Sequence, residues 1–527
     1  MKKLWAAVMA MLATLALAGC STQTIGSGSV SSQSKGSGAD LRIVAATELK
    51  DLQGLIAQAS EDLGFGIELE FPAGTLENSQ ALKRGEFDGE VDATWFATNR
   101  YVNLIGASAK LADETKIATS PVAFGVWDEA ARRLGWDTQQ PTWTDFAKAA
   151  EAGEFTFGMT NPSSSNSGFS ALVAVATALA DTGEALSPGD LEKVSPTLQQ
   201  LFQAQAMVSG SSGWLAEAFV ADPTRADAIV NYESTLHQLR EQGNPIQVVV
   251  PADGVISADY PLSTLAEPAN PEAAQHVREL ADWLMDHQEE IASTFRRPVT
   301  QVGNLPSELA NQQVIELPFP ANQGVVDELL YAYDNSYRAP GSTTFILDTS
   351  GSMSGQRIES LRSIMHSLVD GSASTLTGDV SLRDREKVTL WSFDDQPNEP
   401  VTSVVDRNNP ESLQVLTDYV DGLEASGSTA MYRTLLDALA YADTSAGIPS
   451  IVVFSDGEDN VGPPMRDLKY VYAEYPEDKR RIPVFVILYG SANASEMREL
   501  AAMTGGKVFD ALGGDLEAAF KEIRGYQ

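Results

Sequence analysis

Thr343-Thr344-Phe345-Ile346-Leu347-Asp348-Thr349-Ser350-Gly351-Ser352 joins an apolar run to an acid and a hydroxyl-rich turn. The β-branched and aromatic residues of the run predict a buried strand. That strand delivers Asp348 at its C-terminal end, where open α/β sheets place their ligand crevices. Asp348, Ser350 and Ser352 alternate along the loop, so one carboxylate and two hydroxyls can point the same way, and Gly351 lets the chain turn. A predicted helix follows, with Ile358, Leu361, Ile364 and Leu368 on one face. Hard oxygen ligands of this kind suit a divalent cation, Mg²⁺ first, with Ca²⁺ and Mn²⁺ open. Zinc would want His or Cys, and the four histidines of the chain show no paired ligand spacing.

Two later segments extend the pattern. Val388-Thr389-Leu390-Trp391-Ser392-Phe393 reads as a strand, and Gly427-Ser428-Thr429 precedes a helix carrying Leu435, Leu436 and Leu439. Ile451-Val452-Val453-Phe454 is another buried-type strand, delivering Ser455-Asp456-Gly457. With these in place the C-terminal region resembles a von Willebrand factor A domain. It matches the metal-ion-dependent adhesion site in residue type, order and spacing from Asp348 through Ser350, Ser352 and Thr429 to Asp456. The strands Val484-Phe485-Val486-Ile487-Leu488 and Lys507-Val508-Phe509, and a closing helix over 516–523, fit as well. The resemblance implies a doubly wound, Rossmann-like α/β sheet. In it Ser350 and Ser352 bind the metal directly, Thr429 joins directly or through water, Asp348 and Asp456 act largely through water, and a protein partner supplies a carboxylate.

The same loops, with Ser455-Asp456-Gly457-Glu458-Asp459-Asn460, also resemble those of haloacid-dehalogenase-like phosphotransferases and ion pumps, whose chemistry needs an aspartyl nucleophile beside Mg²⁺. Against that reading, Ser350 stands where the soluble enzymes have a second Asp, and Thr349 where the pumps have Lys.

Toward the N-terminus a second alternating system begins. Leu41-Arg42-Ile43-Val44-Ala45-Ala46 is strand-like, residues 49–63 have helical apolar spacing, and Ile67-Glu68-Leu69-Glu70-Phe71 alternates again. Strand, helix and strand in short order predict a parallel sheet, continued by strands over 91–96, 121–127 and 246–250. The loop Thr160-Asn161-Pro162-Ser163-Ser164-Ser165-Asn166-Ser167-Gly168 leads into a helix with Phe169, Leu172, Val173, Ala176 and Leu179 on its buried side. Such a loop at a helix N-terminus either offers an oxyanion site or caps the helix.

This region resembles a bacterial extracellular solute-binding protein of the two-lobed periplasmic kind. The residues that carry the likeness are Ala45-Ala46-Thr47, Asp92-Ala93-Thr94-Trp95, Ser120-Pro121-Val122, Asn161-Pro162 to Ser167-Gly168, and Asp227-Ala228-Ile229-Val230-Asn231-Tyr232-Glu233. The resemblance implies two α/β lobes that close on a ligand by hinge motion. It gives Thr47, Ser120, Ser165, Asn166, Ser167 and Tyr232 as cleft positions, each also of a type that caps helices or makes turns. Trp95 and Phe96 read as core packing before cleft lining. No Arg or Lys accompanies the Ser-rich loop, so sugars, oxyanions and peptides all stay open as ligands.

The single cysteine, Cys20, follows Lys2-Lys3 and an apolar stretch over 4–18 that ends in Leu17-Ala18-Gly19. The stretch is shorter than the roughly 20 residues of a membrane span and resembles a bacterial lipoprotein signal, which implies cleavage before Cys20 and a lipid on its thiol. The expected organisation is a signal over 1–19, a Ser/Gly-rich tether over 20–39, a two-lobed solute-binding domain over 40–317, a linker over 318–340 and a von Willebrand factor A-like domain over 341–527.

Lys and Arg total 36 against 72 Asp and Glu, a formal charge of −36, which leaves no basic footprint for a nucleic acid. No acid/base pair or Ser/His/Asp arrangement suggests catalysis. The expected function is that of a lipid-anchored extracytoplasmic binding or adhesion protein at a bacterial cell surface or in the periplasm. Its C-terminal metal site would engage a protein and its N-terminal cleft a small molecule or glycan. The alternative is the substrate-binding component of an ABC-type importer.

Overall fold

Leu41–Ala45 forms a strand whose side chains are almost all buried, as expected of a parallel strand covered on both faces. The computed structural model describes residues 39–310, 312–374, 380–444, 447–455, 459–488, 494–511, 519 and 523–526. Cys20, Asp456 and most of the closing helix expected over 516–523 lie outside the described residues.

Two sheets make up the N-terminal region. In the first, the strands lie in the order Ile67–Glu70, Leu41–Ala45, Ala93–Trp95, Pro261–Thr264, Thr115–Lys116. In the second the order is Ser257–Ala258, Ala118–Trp127, Ala228–Tyr232, Phe157–Thr160, Gln205–Ser209. Leu41–Ala45 pairs in parallel with both neighbours, as does Phe157–Thr160. The sheets are nevertheless mixed, where the sequence predicted parallel pairing: Pro261–Thr264 runs antiparallel to Ala93–Trp95, and Ala118–Trp127 antiparallel to Ala228–Tyr232.

The reason is topological. The chain passes from the first sheet to the second between Lys116 and Ala118 and returns between Ala258 and Pro261, so each sheet receives strands running the other way. Tyr260, at the return crossing, has φ 41°, a left-handed conformation uncommon for a non-glycine residue.

The helix predicted over 49–63 starts as a 3₁₀ turn, Thr47–Leu52, before Gln53–Leu63 continues as α-helix. Asn166–Ala180 is buried on nearly every side through Thr177, which its small residues Ala171, Ala174 and Ala176 permit. Within the expected linker, Gln323–Ala332 is a helix capped by Asn322, whose side-chain oxygen accepts from the Gly324 amide at 2.8 Å. Its Val325, Val326 and Leu329, with Tyr333 and Tyr337 of the following π-helical turn, pack into the N-terminal core.

The C-terminal sheet has six strands in the order Val401–Val404, Lys387–Phe393, Gly341–Asp348, Ile448–Ser455, Val484–Leu488, Val508–Asp510. All pairings are parallel except that of the edge strand Val401–Val404. Numbered along the chain, this is the 3-2-1-4-5-6 order of a doubly wound sheet, and the order reverses between Gly341–Asp348 and Ile448–Ser455. Side-chain alternation sends Phe345, Leu347, Val452 and Phe454 into one apolar layer and Ile346, Ile451 and Val453 into the other. Leu361 and Met365 of helix Gln356–Asp370 cover the first layer, and Leu435 and Leu439 of helix Met431–Tyr441 the second. Among the described residues no helix is long and apolar enough to cross a membrane.

Candidate functional site

The reversal point of the C-terminal sheet sets two strand ends side by side, and the predicted metal loop sits there. Asp348 closes the strand Gly341–Asp348 and is fully buried. Its Oδ1 accepts from the Ser350 amide at 2.9 Å and from the Ser350 hydroxyl at 2.6 Å. The Ser350 and Ser352 hydroxyls are 3.0 Å apart, with Ser350 buried and Ser352 exposed. On the other side, Asp348 Oδ2 accepts from the Ser455 hydroxyl at 2.8 Å, so the neighbouring strand contributes a residue. Asp348, Ser350 and Ser352 therefore form one chain of oxygens running from the sheet interior to the surface.

Thr429 arrives on a second loop, which two backbone bonds pin to the first. The Gly351 amide donates to the Gly427 carbonyl at 3.0 Å, and the Ser426 amide donates to the Thr349 carbonyl at 2.8 Å. A side chain at Gly351 would meet the Gly427 carbonyl at 3.1 Å, which favours glycine at this close approach. Thr429 itself is buried and donates its amide to Asn460 Oδ1 at 2.9 Å, while the Asn460 amide donates to the Thr429 carbonyl at 3.0 Å.

Residues beyond the expected set organise these loops. Asp395 Oδ1 accepts from the Ser428 amide at 2.9 Å. Asp459 accepts from the Tyr432 amide at 2.7 Å, at the start of helix Met431–Tyr441. Burial pushes the Asp459 carboxyl up, against the pull of the amides of Tyr432, Gly462 and Val461. Asp459 and Asn460 belong to the same acidic stretch as Asp456, and that adjacency was their only signal in the sequence. Among the described residues no group of three or more His, Cys, Asp or Glu is placed to hold a metal. The donor set at Asp348 is instead hydroxyl-rich, which suits a hard cation.

The expected cleft residues of the N-terminal region divide into groups. Asn166 and Tyr232 meet: the Asn166 amide donates to the Tyr232 hydroxyl at 2.8 Å. Ser165 and Ser167 hydroxyls lie 3.3 Å apart, and Ser167 also contacts Thr160 Oγ1 at 2.9 Å and Ser212 Oγ at 2.7 Å. Ser165 precedes helix Asn166–Ala180, yet among the described residues its side chain makes no capping bond. Ser120 instead supports helix Glu233–Glu241, accepting from the Ser234 amide and donating to the Ser234 hydroxyl, both at 3.1 Å. Thr47 is half-buried in the 3₁₀ turn after Leu41–Ala45. Trp95 and Phe96 are core residues, fully buried, with the Trp95 indole donating to the Tyr260 carbonyl at 3.0 Å.

Glu48, Tyr260 and Arg296 complete this region and were not foreseen. The Tyr232 hydroxyl faces the Glu48 carboxyl. Arg296 donates to the Glu48 carbonyl at 2.8 Å and to both oxygens of Asp51 at 2.8 and 2.9 Å, with its guanidinium 5.3 Å from the Tyr260 ring centroid. Burial pushes the Glu48 carboxyl up, and burial with the Glu48 charge pushes the Tyr232 phenol well up. The adjacency of Glu48 to Thr47 was its only sequence signal. Tyr260 and Arg296 are far away in the chain and had none.

Residues 41–289 match the family model of the bacterial extracellular solute-binding protein, and residues 344–518 match that of the von Willebrand factor type A domain. No curated protein matches the chain. Among solved structures, the chain is similar to the periplasmic binding protein AfuA from Actinobacillus pleuropneumoniae, with exogenous fructose-6-phosphate bound, at 13% identity and a TM-score of 0.45 over 56% of this chain and 97% of that one. It is similar to the sulfate-binding protein SubI from Mycobacterium tuberculosis at 20% identity and a TM-score of 0.41, covering 55% and 98%. A von Willebrand factor type A protein from Catenulispora acidiphila matches at 20% identity and a TM-score of 0.28, covering 36% and 42%.

Proposed function

We propose that this chain, in which an extracellular solute-binding domain is followed by a von Willebrand factor A domain, is a lipid-anchored extracytoplasmic binding protein with two separate sites. In this reading Cys20 carries the anchor, residues 1–19 are its signal and 20–39 its tether. The solute-binding domain covers 40–317, a connector 318–340, and the metal-binding domain 341–527. The C-terminal site holds a divalent cation, Mg²⁺ by the hardness of its donors, between Asp348, Ser350, Ser352, Thr429 and Asp456. The cation offers an open coordination position to a carboxylate of a protein partner. The N-terminal domain binds a small molecule or glycan.

The observation that carries the reading is the run of oxygens from Asp348 through Ser350 to Ser352, with spacings of 2.6 and 3.0 Å, at the reversal point of the doubly wound sheet. Oxygens gathered that closely suit one shared cation. The role of the protein is to hold them: Ser455 orients Asp348 from the next strand, and the bonds from Gly351 to Gly427 and from Ser426 to Thr349 keep the second loop in reach. No catalytic step is assigned to any of these groups.

The test is titration of the full chain with Mg²⁺, Ca²⁺ and Mn²⁺ by calorimetry, with and without EDTA, and again on Asp348→Ala. Cation binding that is at least ten-fold weaker in the variant is expected. Equal binding by the variant, or none by the native chain, would remove the metal site. For the anchor, Cys20→Ser should shift the protein from the membrane to the soluble fraction. The importer reading instead predicts tight small-molecule binding, with transport lost on deletion of the chain but kept in Asp348→Ala.

A further inference from the structure

The N-terminal crevice carries a charge pattern that selects among the ligand classes left open. Its polar groups come from strand ends of both sheets: Glu48 follows Leu41–Ala45, Tyr232 ends Ala228–Tyr232, and Asn166 opens the helix after Phe157–Thr160. Glu48 and Tyr232 belong to different lobes and face each other, close to Tyr260 at the return crossing between them.

Three features set the sign of the site. First, the Arg296 guanidinium is engaged by both oxygens of Asp51 and by the Glu48 carbonyl, so this pair is neutral. The Glu48 carboxyl remains as the charge of the cluster, a single negative one when ionised. Second, three buried oxygens in the cluster have no hydrogen-bond partner among the described residues: Glu48 Oε1, Asn166 Oδ1 on a residue only 5% exposed, and the Tyr260 hydroxyl, which faces the Arg296 guanidinium, whose Nε is also unpartnered. Glu48 Oε1, when the carboxyl is ionised, and Asn166 Oδ1 are acceptors, and buried acceptors are stabilised by a ligand that donates to them. Third, the hydroxyls of the Ser-rich loop that would have served an anion are turned on one another, Ser167 bonding Thr160, Ser165 and Ser212. An oxyanion at the start of this helix would also face the Glu48 carboxyl.

Resting on the solute-binding reading above, we propose that the crevice takes a small organic cation, a compact ammonium or guanidinium compound that donates to Glu48 and Asn166 beside the Tyr232 ring. Tyr232 meets the Tyr260 ring edge-to-face, with centroids 6.4 Å apart at 61°, and Tyr260 already holds the Arg296 guanidinium over its face at 5.3 Å, so aromatic rings line a place suited to a cation desolvated by lobe closure. The charge of −36 on the chain raises the local concentration of such a ligand and lowers that of an anion. Hinge closure about the two crossings brings Glu48 of one lobe onto a ligand held by Asn166 and Tyr232 of the other.

The test is calorimetry and thermal shift on the full chain with putrescine, agmatine, ethanolamine and choline, beside sulfate, phosphate and glucose. At least one cationic probe should bind and raise the melting temperature, and the anions and glucose should not. Glu48→Gln, which keeps the shape and removes the charge, should weaken that binding at least ten-fold. Tyr232→Phe, which keeps the ring and removes the hydroxyl facing Glu48, should weaken it less. Preferential binding of sulfate, phosphate or glucose, or a Glu48→Gln variant that is folded and binds the cation equally well, overturns this inference while leaving the solute-binding reading intact. Binding of no probe of any class overturns both.

Discussion

Gly168 shows how a single residue sets the approach of two elements. A β-carbon at this position would lie 2.2 Å from the Thr160 carbonyl and 2.7 Å from its hydroxyl, so the helix can start against the end of strand Phe157–Thr160 only without a side chain. Gly168→Ala must push the helix from the strand, and overpacking of this kind costs about 1–3 kcal/mol. Denaturant unfolding should show that loss, and the contact between Asn166 and Tyr232 at the same helix start should loosen with it. At this scale the sequence was informative about chemistry and silent about distance. Asp348, Ser350 and Ser352 could be picked out because their spacing along a loop is local. Glu48 and Arg296 could not be paired, because 248 residues separate the atoms that bond.

At the scale of elements, the start of the C-terminal sheet is held by a buried ion pair. Arg524 donates to both oxygens of Glu386 at 2.8 Å, and Thr343, at the base of the strand leading to Asp348, donates to Glu386 Oε1 at 2.9 Å. Burial alone would raise the Glu386 carboxyl. The charges of Arg524 and Arg383 and their hydrogen bonds outweigh it and hold the group at about 2, below its ordinary 4.5. A carboxyl held lower in the folded than in the unfolded state adds stability that is fully present above pH 4.5 and is lost as pH falls toward 2. Acid titration of the melting temperature should therefore fall more steeply in that window for the native chain than for Glu386→Gln. At neutral pH the same substitution breaks this buried pair by removing its carboxylate, a loss of about 3–5 kcal/mol. The π-helical turn Tyr333–Tyr337 lies beside this pair: Asp334 sits 3.1 Å from Arg383 and accepts from Ser163 of the Ser-rich loop at 3.4 Å. A strand could be foreseen at Gly341–Asp348 from its apolar run, but not that a turn from the connector would reach both its base and the loop before helix Asn166–Ala180.

For the whole molecule, residues Ser34–Gln527 form one compact unit, and the two domain types within it share a surface. Trp214, on helix Ser212–Ala221, packs edge-on against Tyr526 with ring centroids 5.1 Å apart and lies 6.4 Å from the Phe485 ring of the C-terminal sheet. Arg481 reaches Asp222 and Thr224 across the same boundary. Trp214→Ala should lower stability by about 3 kcal/mol, the low end for truncation of a packed Trp. Calorimetry should show one unfolding transition for the native chain and two for the variant, whereas one undivided transition in the variant would show that the domains are coupled elsewhere.

The sequence by itself determined the apolar strand and helix runs and the hydroxyl-rich loop, because apolar periodicity and the spacing of residues in one turn are local properties of the chain, and the resemblance of these motifs to known families implied the two domain types and the doubly wound sheet. Only the tertiary structure decided that the N-terminal sheets are mixed, that the connector helix joins the first core, that Ser120 supports a helix, and that Glu48 meets Tyr232 across the crevice. These depend on how the chain crosses between sheets and on which distant residues burial brings together, and no local pattern encodes that.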